Sequence, residues 1–114
     1  VLDVNPLILA VDRFADRLRA APESRLRRGA AAEGLALARE LAIRAQRVED
    51  PAREPLLMPD AGVFAVADQL VVAARDLAQA LRTAKTPPGG EPDGAVEPAK
   101  ALELVEAAAR RAFG

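Results

Sequence analysis

The sequence contains no cysteine and no histidine, and neither tryptophan nor tyrosine. Without cysteine there are no disulfides, no thiolate nucleophile and no cysteine-ligated zinc or iron–sulfur site. Without histidine the commonest general base and the commonest transition-metal ligand are missing. Three phenylalanines are the only aromatic residues. No apolar run approaches the roughly 18 residues that cross a bilayer. Leu7–Val11 is short and follows Asp3, so no signal peptide is expected and the protein reads as cytosolic. An excess of either charge is also lacking, with 16 basic and 17 acidic residues. A net charge of −1 with a pI near 5.5 gives no global field to draw in nucleic acid or an anionic membrane.

What is present is a globular balance, with 51% hydrophobic and 29% charged residues over 114 positions, which suits one domain. Alanine is abundant at 27 residues, and arginine outnumbers lysine 14 to 2. Alanine has the best intrinsic helix propensity and lets helix faces approach closely; a GC-rich genome would produce the same bias.

Apolar spacing predicts four helices and no strand. In 60–82, Val63, Ala67, Leu70, Ala74, Leu77 and Leu81 recur at steps of three and four, widened by Phe64, Val66, Val71 and Ala78. An arc that wide needs partners on two sides, which makes this the central helix, with Asp60 as its N-cap. A first helix runs from about Pro6, capped by Asn5, to Ala20 and buries Leu7, Val11, Phe14, Ala15 and Leu18. A second runs from Pro22 or Ser24 to Val48, with Ser24 read as a cap. Its Leu26, Ala30, Leu37, Leu41 and Val48 form a stripe broadened by small residues. Gly29 and Gly34 each cost about 1 kcal/mol there against Ala, which a close crossing or a kink would explain. A fourth helix opens at Pro98 after a Pro/Gly-rich loop at 86–97 that is expected to be flexible. The fold class expected is all-α: a four-helix antiparallel bundle with two long central helices, each about 35–39 Å, and two shorter ones. Apolar surface left uncovered on the long pair would favour a homodimer.

Candidates for chemistry are few. Ser24 has no histidine to activate it. Asp12 and Asp16 stand at i,i+4 and Glu103 and Glu106 at i,i+3. The string Glu103-Leu104-Val105-Glu106 is similar to the first half of the E-x-x-E … E-x-x-D pattern with which all-α nucleoside-triphosphate pyrophosphohydrolases bind Mg²⁺. Ala107–Gly114 contains no acidic residue, so the second half does not follow. Both pairs read as solvated helix faces, since a divalent ion needs several converging oxygens. No cofactor, no metal and no catalytic role are expected.

Two features point to partners instead. Six arginines fall within residues 13–28, and among them Arg25, Arg27 and Arg28 are candidates for contact with a protein. Residues 1–47 carry +3 (nine basic, six acidic) and residues 48–114 carry −4 (seven basic, eleven acidic), a polarity suited to steering an acidic surface. Nucleic acid is the weaker reading because no aromatics interleave the arginines. The second feature is Pro55-Leu56-Leu57-Met58-Pro59, three large apolar residues between prolines in a connection. Leu56, Leu57 and Met58 are expected to be buried, either capping the bundle or docking on a second subunit. The functional expectation is a helical interaction or oligomerisation module. The alternative is a small-molecule binder with an apolar cavity and an arginine anchor, Arg75 or another.

Overall fold

A computed structural model describes the backbone of residues 3–84 and 93–114 and the side chains of 3–84 and 97–114. The described residues form an all-α four-helix bundle. The four packed helices are α1 (Asn5–Ala20), α3 (Ala31–Glu49), α4 (Val66–Thr83) and α5 (Asp93–Phe113); α2 (Glu23–Arg25) is a single turn continuing into a π-helical turn, Leu26–Ala30. Thr86–Pro92, most of the loop expected to be flexible, lies outside the described residues.

Ion pairs give the helix directions. Arg19 meets Asp68 at 2.8 Å and Asp12 meets Arg75 at 3.8 Å, so α1 and α4 run antiparallel. Arg44 meets Glu97 at 2.6 Å and Glu33 meets Arg111 at 2.8 Å, so α3 and α5 do the same. The most extensive packing is between α3 and α4. Gly34, near the start of α3, touches Val66, the first residue of α4. These two helices therefore set off from the same end. Residues 50–65 make this possible by returning along α3 in irregular backbone, where an up-and-down order would need only a short turn.

The α1 face is as its spacing predicts: Leu7, Val11, Phe14, Ala15 and Leu18 are buried. Thirteen of the 27 buried apolar residues are alanine, which brings the helix axes close. Phe14 is the largest fully buried side chain and meets Phe113 edge-on, ring centroids 6.0 Å apart at 88°. No described polar or charged residue is buried.

Several boundaries differ from the sequence reading. Val4, not Asn5, holds the cap position of the first helix, and the Asp3 Oδ1 just before it accepts the Asn5 amide at 3.0 Å. Ser24 makes no capping hydrogen bond and is exposed; Pro22 holds the cap position with extended backbone. Asp60 does not start α4. Its Oδ1 accepts the Gly62 amide at 2.9 Å in a turn where Gly62 takes φ 97°, and the helix begins at Val66. That leaves Phe64 outside the helix and 68% exposed. Helix α5 begins at Asp93 and runs through Pro98, an extra stretch anchored to α3 by the Glu97–Arg44 pair. The four packed helices are thus of similar length, at 16, 19, 18 and 21 residues.

The two glycines answer to different causes. Gly29 takes φ 150°, ψ −20° and breaks the second helix into its π-helical turn. A Cβ there would meet nothing within 4 Å, so its cost is backbone strain alone. Gly29→Ala is expected to lower stability by about 1–2 kcal/mol, because a positive φ disfavours any residue with a Cβ. Urea titration checks this; an unchanged midpoint would show that the turn can re-form as regular helix.

Candidate functional site

The connection from Asp50 to Ala65 lacks its own helix, so its backbone groups need partners from elsewhere. Side chains of α3 and α4 supply them. Gln46 grips Leu56 at both ends, its Nε2 donating to the Leu56 carbonyl at 2.9 Å and its Oε1 accepting the Leu56 amide at 2.7 Å. Arg39 Nε donates to the Met58 carbonyl at 2.8 Å. Gln69 Nε2 donates to the Pro59 carbonyl at 2.9 Å. Three clamps within four residues, with prolines at 55 and 59, fix the backbone of this tongue.

With the backbone fixed, side-chain direction follows. Met58 turns inward and packs on the core. Leu56 and Leu57 turn out and are 65% and 64% exposed. The expectation that all three cap the bundle therefore fails within the chain for Leu56 and Leu57. The clamps seat the tongue alongside α3, not across the bundle's end, and one side of such a segment must face outward. Phe64 adds a third exposed large apolar side chain to the same connection.

Beside the tongue lies a groove of about 360 Å³ between the π-helical turn, the start of α3 and the connection. Leu26, Ala31, Leu35, Val63 and Val66 give it an apolar floor, and Arg27, Arg39 and Asp60 stand on its rim. Ala32 and Ala36 create the space: both are exposed, and their short side chains leave the α3 surface bare. In sequence they look like ordinary helix formers, and nothing local marks them as a groove wall.

Of the arginine cluster, most members already have structural partners. Arg25 Nη2 donates to the Ala112 carbonyl at 3.3 Å, satisfying the C-terminus of α5, and lies 5.5 Å from the Phe113 ring centroid. Arg17 stacks over the same ring at 4.3 Å. Arg19 holds Asp16 and Asp68; these contacts, above all the hydrogen bond it donates to Asp68, raise its pKa. Arg27 pairs with Glu23 at 2.8 Å on an exposed turn. Arg28 is exposed and has no ion pair among the described residues. Arg27 is thus the cluster member that reaches the groove, whereas Arg25 is committed to α5. Arg75 sits across from Asp12 on the α1–α4 surface and does not line the groove.

Arg44 is the least exposed paired arginine. Burial works against its charge, but Glu97 and Glu40 more than offset this and raise its pKa. A raised arginine pKa contributes stability that is fully present at every pH below the unfolded value. The carboxylate pairs of the sequence do not converge. Asp12 and Asp16 face Arg75 and Arg19, and Glu103 faces Lys100 at 3.8 Å. Among the described residues no three acidic side chains group as metal ligands would. No described helix is long and apolar enough to cross a membrane.

Compared with protein-family models, with curated proteins and with solved structures, the chain matches none.

Proposed function

We propose that the protein is a non-catalytic helical module whose work is association, first of all with a second copy of itself. The observation that supports this reading is the clamped tongue with Leu56 and Leu57 turned outward. Each such side chain left in water forgoes about 1.5–3 kcal/mol relative to burial. A loose loop could fold those residues away; this one is fixed with them outside. Its rigidity also means that little ordering entropy is lost on docking. Association would then act through the tongue and Phe64, since the four helices are too similar in length to leave long uncovered ends.

The test is Leu57→Asp in the full chain, read by sedimentation and by thermal melting. The wild type should show twice the 12.0 kDa chain mass at tens of micromolar. The variant should be monomeric and should melt as the wild type does when diluted below its dimerisation range, because Leu57 covers little of its own core. A wild type that is already monomeric, or a variant that melts several degrees lower with unaltered mass, would overturn the reading. The second reading, a small-molecule binder, draws on the groove itself, where Arg39 stands on the rim of an apolar floor and could pair with an acidic ligand.

A further inference from the structure

We propose that the association is reciprocal: the Leu56–Leu57 tongue of each copy seats in the groove of the other. This rests on the self-association reading above and adds what fills the groove. Four observations lead to it. The groove, at about 360 Å³, is more than twice the ~150 Å³ in which a benzene ring fits, so a pair of leucine side chains has room. The tongue presents two such side chains on a backbone already held in place.

Charge matches in the same sense. The stretch leading into the tongue carries Glu49, Asp50 and Glu54, exposed and without ion pairs among the described residues, against Arg47 and Arg53. The groove rim carries Arg27 and Arg39 against Asp60. An acid-flanked apolar ridge and a base-rimmed groove with an apolar floor are complementary surfaces.

Position then decides between one's own groove and another's. Arg39, which pins Met58, and Asp60, just past the tongue, both line the groove, so tongue and groove adjoin. Leu56 and Leu57 are nevertheless 65% and 64% exposed and do not line it, so the fixed backbone keeps them out of the groove of their own chain. Tongue and groove share one flank of α3, with Arg39 touching both. A twofold axis between them sets each tongue opposite the partner's groove and closes the contact as a dimer.

The experiment pairs Leu57→Asp with Ala36→Gln, which fills the groove from an exposed helix position without touching the core. Each variant alone should raise the dimer dissociation constant by roughly tenfold or more and leave the melting temperature of the monomer in place. Mixing the two should restore association in part, because the heterodimer holds one intact tongue–groove contact and each homodimer holds none. Ala32→Gln serves as a second groove-filling variant should Ala36→Gln fold poorly. If Leu57→Asp separates the subunits while both groove variants remain dimeric, self-association stands and the reciprocal exchange is wrong. If every variant and the wild type are monomers, both fail together. Loss of association without recovery on mixing also overturns the exchange.

Discussion

Replacing Phe14 by alanine is expected to lower the unfolding free energy by about 3–5 kcal/mol, the range for a fully buried aromatic ring. Total stability for a domain of this kind is about 5–15 kcal/mol, so the variant would be close to unfolding at physiological temperature. Phe14 is 1% exposed and is the largest side chain in a core built largely of alanine. The helices are already closely packed where α3 crosses α4, since a Cβ at Gly34 would lie only 2.6 Å from Val66 Cγ1. Loss of Phe14 also removes the edge-on partner of Phe113, and with it part of the surface on which Arg17 and Arg25 rest. The urea midpoint should fall with little change in slope. Phe14→Leu should cost much less, since most of the volume is kept. A loss below 1 kcal/mol for Phe14→Ala would mean that the core repacks and is looser than its contacts indicate.

How legible this was from sequence differs from element to element, for physical reasons. The α1 face was fully readable, because an uninterrupted helix that buries one stripe obeys the three–four spacing along its length. The start of α4 was not. Asp60 suits an N-cap and an Asx turn equally well, and only the positive φ of Gly62 separates the two. The start of α5 was missed for a related reason. Proline usually opens a helix, yet Pro98 lies inside one whose first turns are tied down by a residue of another helix, Arg44. The tongue stood out at once as apolar residues between prolines. Which of its side chains turn outward was hidden, because Gln46, Arg39 and Gln69 decide it from 10–19 positions away. The groove had no signature, since it is made by what Ala32 and Ala36 lack.

Gly34→Leu is expected to destabilise the bundle by about 3 kcal/mol or more, and Gly34→Ala is the more telling partner experiment. Helix propensity alone says that alanine should gain about 1 kcal/mol at a glycine inside a helix. Packing says the reverse. A Cβ on residue 34 would lie 2.6 Å from Val66 Cγ1 and 3.0 Å from Leu18 Cδ1. The leucine methyl belongs to a side chain that can rotate. The valine methyl does not yield so easily, because a β-branched side chain in a helix keeps one strongly preferred rotamer. Relief then requires α4 to move away from α3 at the most extensive contact of the fold. Overpacking of this kind costs about 1–3 kcal/mol for a small excess, which outweighs the propensity gain and makes even alanine net destabilising, by about 0.5–2 kcal/mol. Leucine adds three further carbons to a site where the Cβ alone already meets both α4 and α1. Denaturant unfolding of the two variants beside the wild type gives the sign directly. Should Gly34→Ala prove more stable than the wild type, α3 and α4 do not cross at this distance. The double variant Gly34→Ala with Val66→Ala locates the clash: if removing the valine methyls recovers stability lost to Gly34→Ala, the contact at residue 66 is what requires glycine at residue 34.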